Sequence, residues 1–132
     1  MMCPDCGLPL IILELNGVEL DFCTQCGGSW LDLGELELLL QLEGCPGEES
    51  LFAQHSFHPK GKSTRCCPRC RRAMEQGTLG HNAPVEVEHC RKEHGFWLDR
   101  GEIESLVKQY THGKSGCVAA FFASLYEHEL KK

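Results

Sequence analysis

Cysteine is the commonest potential metal ligand with sulfur or imidazole donors in this chain, and its spacing indicates metal binding. Ten of the 132 residues are cysteine, and Cys-x-x-Cys pairs recur along the chain. Zn²⁺ in a structural site takes four tetrahedral ligands and favours thiolate and imidazole. The spacing C-x2-C-x16-C-x2-C near the start is typical of a four-cysteine zinc site, and buried free thiols or disulfides are the less favoured interpretations. The predicted ligands of this first site are Cys3, Cys6, Cys23 and Cys26.

A second set of ligands follows the same plan with one change. Its predicted ligands are Cys67, Cys70, Cys90 and His94. Aligning the two tryptophans places Glu93 where the first site has its fourth cysteine, and His94 is the next residue. Imidazole is the commoner partner for three thiolates, so we predict His94 as the ligand, with Glu93 and His89 as alternatives. We predict two structural zinc ions per chain, each with a closed set of four protein ligands.

The remaining reactive side chains show no catalytic pattern. The cysteines left over are Cys45, Cys66 and Cys117, which we interpret as unliganded thiols. Five other histidines fall in loops or on a polar helix face, where we expect them to be solvated. The sequence contains no nucleophile–base arrangement, phosphate-binding loop or pair of catalytic carboxylates. We therefore predict no enzymatic activity.

An internal repeat supplies the elements that position these ligands. The stretches FCTQCGGSWLDLGELELLL (22–40) and HCRKEHGFWLDRGEIESLV (89–107) are versions of each other. In the first copy, Asn16-Gly17 between two apolar-rich runs predicts a tight β-hairpin. In the second copy, the hairpin runs from about Ala73 to His89 with a wider turn. Each predicted zinc site is thus two cysteine knuckles joined by a hairpin, which is the layout of a zinc ribbon.

Helices are predicted after each ribbon. Asp32 with Glu35, and Asp99 with Glu102, have the spacing of helix-capping boxes, and apolar residues then repeat at helical intervals. A further amphipathic helix is predicted over 117–132. The predicted fold class is therefore a small, zinc-stabilised α+β protein: tandem zinc ribbons, each followed by an α-helix, with an extra C-terminal helix.

The repeat also predicts the domain organisation. We assign 1–44 to the first zinc-ribbon module, 45–65 to a linker with a possible helical turn at 51–55, 66–113 to the second module, and 114–132 to the C-terminal helix. Modules this small rarely bury enough apolar surface to fold alone. We therefore expect zinc to contribute on the order of 10 kcal/mol to their folding.

Charge separates the two modules. The formal net charge is −6, and residues 1–44 contain eight acidic residues and no lysine or arginine. Because phosphate contacts depend on lysine and arginine, the first module is a poor match for nucleic acid. The second module carries the basic residues that could contact phosphate: Arg69, Arg71, Arg72, Arg91, Lys92 and Arg100.

The sequence shows no secretory signal and no apolar run of about 20 residues that would span a bilayer. Short-spaced cysteines of this kind favour metal binding in a reducing compartment. We predict a cytoplasmic location and no membrane partner.

At these residues the sequence resembles the transcription-factor-IIB-type zinc-finger family. The matching stretches are Cys3-Pro4-Asp5-Cys6 and Cys23–Leu39 in the first module, and Cys67-Pro68-Arg69-Cys70, Cys90 and Gly95–Ile103 in the second. The second module departs from the family pattern at its second knuckle, where His94 replaces a cysteine. The resemblance implies zinc-ribbon folds and zinc sites, and it implies no particular function.

Three functions are compatible with these features. The closed ligand sets and the acidic first module favour a non-enzymatic adaptor that binds a protein partner. A nucleic-acid-associated ribbon acting through the basic second module is the first alternative, and a thiol-based redox or zinc-responsive switch is the second. The C-terminal helix is expected to cap the core, with a homodimer contact or a partner-binding face as the alternatives.

Overall fold

The computed structural model describes residues 1–15, 17–32, 34, 35, 38, 57–79, 84–92, 94–103, 105 and 106. Its strands are β1 (Ile11–Leu15), β2 (Val18–Phe22), β3 (Ser29–Asp32), β4 (His58–Cys66), β5 (Ala73–Leu79), β6 (Val85–His89) and β7 (Gly95–Leu98). They form one seven-stranded antiparallel sheet in the order β1-β2-β3-β7-β6-β5-β4.

Both predicted hairpins are present in this sheet. β1 pairs with β2 from Ile11 opposite Phe22 to Leu15 opposite Val18, and β5 pairs with β6 over the range predicted from the sequence. In β2, buried and more exposed residues alternate, as expected for a strand with one face against a core.

The predicted α+β fold class, with an α-helix after each ribbon, is wrong. Apart from short helical turns after Asp32 and Asp99, the elements formed by the described residues are strands of the one antiparallel sheet. Residues 29–32 and 95–98 directly precede the predicted helices. They are short apolar runs, and such runs do not distinguish strand from helix. They form β3 and β7, buried at nearly every position.

One hydrogen bond of each predicted capping box is formed. The backbone N–H of Asp32 donates to Oε1 of Glu35 at 3.1 Å, and that of Asp99 donates to Oε1 of Glu102 at 2.7 Å. After Asp99, a single helical turn is described, in which Ser105 N donates to Gly101 O at 3.1 Å. The helical turn predicted at 51–55 and the C-terminal helix at 114–132 lie outside the described residues.

The two copies meet at the centre of the sheet. β3 pairs with β7, and Trp30 lies directly opposite Trp97. Residues opposite each other in an antiparallel pair point to the same face, so both indoles lie on one side of the sheet. Phe22, Leu31, Phe96 and Leu98, all fully buried, lie on the other side. The sheet is therefore buried on both faces where the copies join.

No helix among the residues described is both long and apolar enough to cross a membrane.

Candidate metal centres

The first four predicted ligands come together at one end of the β1–β2 hairpin. The sulfur atoms of Cys3, Cys6, Cys23 and Cys26 all lie within 4.8 Å of one another. Cys3 and Cys23 are buried, whereas Cys6 and Cys26 are partly buried. Sγ of Cys3 lies 3.7 Å from Sγ of Cys26.

The second four predicted ligands come together in the same way. Their ligand atoms, the sulfurs of Cys67, Cys70 and Cys90 and a ring nitrogen of His94, also lie within 4.8 Å of one another. Sγ of Cys70 lies 3.7 Å from Sγ of Cys90, and Nδ1 of His94 lies 3.5 Å from the same sulfur. Glu93, one alternative fourth ligand, lies outside the described residues.

These distances fit zinc. A Zn–S bond of about 2.3 Å in tetrahedral geometry separates two sulfurs by about 3.8 Å. The same geometry separates a thiolate sulfur from an imidazole nitrogen by about 3.5 Å. Two thiolate-rich, four-ligand groups with these spacings fit two structural zinc ions, and neither group leaves a ligand position open for a substrate.

Each knuckle is built to present its sulfurs. The backbone N–H groups of Asp5 and Cys6 point at Sγ of Cys3, at 3.4 and 3.2 Å. Arg69 and Cys70 repeat these contacts on Sγ of Cys67, at 3.3 and 3.4 Å. Backbone N–H donors stabilise the anionic form of a thiol that binds a metal.

The turn that closes each knuckle needs a left-handed backbone. Gly7 and Gly27 take φ values of 75° and 80°, which glycine adopts readily. Arg71 takes the equivalent position to Gly7 in the second copy, at φ 66°. The first knuckle of the second copy thus carries an arginine in a backbone conformation that favours glycine.

Burial makes three of the metal-free thiols weaker acids than free cysteine. Burial raises the pKa of Cys6 to about 11 and that of Cys67 to about 12, and it also raises the pKa of Cys26. In contrast, the backbone amide of Arg72 lowers the pKa of Cys70. Because the thiolate is the form that binds zinc, metal binding near neutral pH releases protons.

The two metal centres share one core. Cys3, Cys23, Cys67 and Cys90 belong to a single buried cluster that also contains Trp30, Trp97 and Met74. Both tryptophans therefore pack beside the zinc sites. Loss of either centre would expose one side of the tryptophan pair, so the stabilities of the two modules should be coupled.

The aspartate that follows each tryptophan has a role that the sequence did not reveal. Nε1–H of Trp30 donates to Oδ1 of Asp32 at 3.1 Å, and Nε1–H of Trp97 donates to Oδ1 of Asp99 at 3.2 Å. Each hydrogen bond gives a buried indole N–H the acceptor that it needs. The Trp-Leu-Asp spacing, in which alternate residues share a strand face, is the signal that could have predicted it.

Arg65 is a structural residue that sequence analysis missed, because it lies in the range assigned to the linker. Its guanidinium contacts Glu88 at 2.7 Å, Asp99 at 2.8 Å and Asp5 at 3.3 Å, and so ties both knuckle regions together. Glu88 is buried and also accepts a hydrogen bond from Ser63. Burial alone would lower the pKa of Arg65, but the hydrogen bond that Arg65 donates to Glu88 and the charge of Asp99 raise it overall.

His89, the other alternative ligand, points away from the second centre. Its Nδ1 lies 3.3 Å from Oε1 of Glu75, and its ring stacks with Phe57 and Phe96. Among the unassigned cysteines, Cys66 is an exposed free thiol. Cys45 and Cys117 lie outside the described residues.

Comparison with known proteins gives one family. The sequence model of the family described as transcription factor zinc-finger matches residues 2–42 and 66–109, one match for each copy of the repeat. No curated protein matches the chain, and no solved structure does.

Proposed function

The chain belongs to the transcription factor zinc-finger family and carries two copies of its module. We propose that it is a non-enzymatic adaptor that binds a protein partner and whose fold is stabilised by zinc. The adaptor acts in a reducing compartment such as the cytoplasm, where thiols remain available to zinc. Both four-ligand groups are closed, so the zinc ions stabilise the fold and the surface carries the function.

The observation that carries this proposal is an apolar surface on the first module. The N-terminal apolar surface consists of Met1, Met2, Leu8, Ile11 and Ile12, each between 40% and 67% exposed. A contact between Leu10 N and Met1 O at 2.9 Å holds the first residues against the start of β1. Ile11 and Ile12 point to opposite faces of β1, so these side chains lie on both sides of the strand. Several large apolar side chains exposed along one short segment are typical of an interaction surface.

Partner capture from a nuclease-treated lysate tests the adaptor. The Leu8→Gln/Ile12→Thr variant removes apolar surface, and Gln76→Thr changes the position of the second copy that is equivalent to Ile12. We expect the double variant to lose proteins that the wild type and Gln76→Thr both retain. Retention of the same proteins by all three would contradict the proposal.

A second candidate function rests on a basic groove in the second module. Lys62, Arg72, Arg91 and Lys92 line a groove of about 420 Å³ together with Ala73 and Cys90. The equivalent positions of Arg72, Arg91 and Lys92 in the first copy are Leu8, Thr24 and Gln25, so the ribbon fold does not require these cations. Such a groove suits the phosphate backbone of single-stranded nucleic acid.

The repeat also supplies the test of this second function. The Arg72→Leu/Arg91→Thr/Lys92→Gln variant grafts the residues of the first copy onto the second. Binding of labelled single-stranded RNA should fall at least about tenfold in this variant and should weaken steeply with salt in the wild type. Equal, salt-independent binding by both proteins would rule out the groove as a nucleic-acid site.

A further inference from the structure

The outer edge of β1 lacks the features that protect sheet edges. β1 is an edge strand, and among the described residues its whole length pairs with β2 alone. Natural edges are usually blunted by lysine, proline or bulges. β4, at the opposite edge, has Pro59, Lys60 and Lys62 and two shifts of register. β1, with the sequence IILEL, has none of these.

Two residues of β1 direct their backbone groups towards this edge. Leu15 and Val18 flank a two-residue turn and therefore form a hydrogen-bonded pair. Hydrogen-bonded pairs alternate along the ladder, so Ile12 and Glu14 direct their N–H and C=O groups away from β2. Leu10 lies two residues before Ile12, so its backbone groups should also point away from β2. Its N–H does so, because it donates to Met1 O.

The second copy shows how such an edge can be completed. β5 is the equivalent of β1 in the repeat, and its outer edge is covered by β4 in antiparallel pairing. The isolated bridge between Met2 and Pro9 is the equivalent of the pairing between Cys66 and Ala73. The same ribbon therefore already accepts an added strand on the edge that β1 leaves open among the described residues.

Charge indicates the chemistry of the strand that fits. Glu14 lies directly opposite Glu19 in the β1–β2 pair, an arrangement in which like charges repel. In the second copy the equivalent of Glu19 is Glu86, and the added strand brings Lys60 within 3.9 Å of it. With eight acidic residues and no lysine or arginine in 1–44, the first module favours a cationic strand over a second copy of itself.

We propose that a partner protein binds by adding an extended, basic and apolar segment antiparallel to β1, with its lysine or arginine side chains beside Glu14 and Glu19. Backbone hydrogen bonds to Ile12 and Glu14 supply affinity, and the side chains supply selection. This inference rests on the adaptor function proposed above and names how the adaptor recognises its partner.

Short peptides test strand addition on the intact, zinc-loaded chain. The probe is a labelled peptide of alternating lysine and valine; its controls are the same peptide with N-methylated backbone amides and a glutamate–valine peptide. We expect the lysine–valine peptide to bind and to slow amide exchange at Ile12 and Glu14, whereas both controls bind at least about tenfold more weakly. Equal binding of the N-methylated peptide, or protection elsewhere than β1, would overturn the proposal.

Two variants at one position separate the backbone from the side chain. Ile12→Pro removes an outward N–H that does not pair with β2, and Ile12→Thr keeps it. Zinc content and near-ultraviolet circular dichroism establish that each variant folds. Strand addition predicts that Ile12→Pro loses peptide binding and that Ile12→Thr loses much less; equal losses contradict it. If partner capture depends on the N-terminal apolar surface but is unchanged by Ile12→Pro, the result contradicts strand addition. It remains consistent with the adaptor function.

Discussion

At the scale of single residues, two buried serines differ in whether their hydroxyls are satisfied. Oγ of Ser29 in β3 is buried and has no hydrogen-bond partner among the described residues, whereas Oγ of Ser63 in β4 donates to Glu88 and accepts from the backbone of Arg65. A buried polar group without a partner costs free energy. Ser29 stands where the second copy has Phe96, so the site tolerates an apolar side chain.

We therefore predict opposite effects for the same substitution at the two serines. Ser29→Ala should raise the free energy of unfolding by about 1 kcal/mol, because it removes an unsatisfied hydroxyl. Ser63→Ala should lower it by about 1–2 kcal/mol, because buried Glu88 loses a donor. Denaturant unfolding with zinc in excess measures both, and a loss of stability in Ser29→Ala would contradict this account.

Arg65 and Arg69 provide a matched pair of ion-pair tests. Arg65→Met leaves Glu88, 5% exposed, without its charged partner and should cost about 3 kcal/mol. Arg69→Met breaks a contact with Asp32 that is exposed on both sides and should change stability by less than about 0.5 kcal/mol. Comparable losses in the two variants, measured by the same unfolding assay, would mean that the Arg65 contacts are not the buried brace described here.

Glu102 should make stability depend on pH. Burial raises the pKa of this carboxyl group from its usual value of 4.5 to about 7. The folded state therefore binds the proton more tightly than the unfolded state, and stability is lost as the pH rises from about 4.5 to 7. Glu102→Gln keeps an acceptor for Asp99 N and removes the charge. Its advantage over the wild type should grow by about 1 kcal/mol between about pH 6 and pH 8, after allowance for solvent screening. A constant difference across that range would contradict the assignment.

At the scale of elements, the sequence predicted local features better than their assembly. Cysteine spacing, the Asn-Gly turn and the capping pairs depend on neighbouring residues, and the hairpins, the ligand groups and the Asp–Glu contacts follow from them. Pairing of β3 with β7 joins residues far apart in the sequence and left no local signal. β4 was hidden in a range rich in proline, glycine and lysine, which suits a protected edge strand as well as a linker.

Close approach of β3 and β7 explains two glycines at equivalent positions. A Cβ atom on Gly28 would lie 2.2 Å from Cζ2 of Trp97, and one on Gly95 would lie 2.2 Å from the backbone oxygen of Leu31. Gly34→Ala is the control, because a Cβ atom there meets none of the described residues within 4 Å.

Alanine at Gly28 or Gly95 should therefore cost at least about 3 kcal/mol, since buried rings or backbone must move. Gly34→Ala should be neutral or stabilising by up to about 1 kcal/mol. Thermal unfolding of the zinc-loaded variants measures the difference. Near-wild-type stability of Gly95→Ala would contradict the β3–β7 register.

At the scale of the whole molecule, the two zinc-ribbon copies act as one structural unit in the described part of the chain. One sheet runs through both, one cluster contains cysteines from both sites, and Arg65 bridges acidic residues of both. The copies differ in surface chemistry: the first is acidic and exposes apolar side chains, whereas the second carries a groove lined by basic residues. The shared core thus explains the repeat, and the different surfaces are where the proposed partner sites lie.

Zinc removal, followed simultaneously by metal release and tryptophan fluorescence, tests the central claim that two metal centres hold one common core. The account predicts two zinc ions per chain, and loss of tryptophan burial in a single cooperative transition as a chelator removes them. Cys3→Ser, which disables the first site, should also weaken zinc retention at the second. Retention of the native tryptophan signal after complete metal removal, or two independent transitions unaffected by Cys3→Ser, would contradict it.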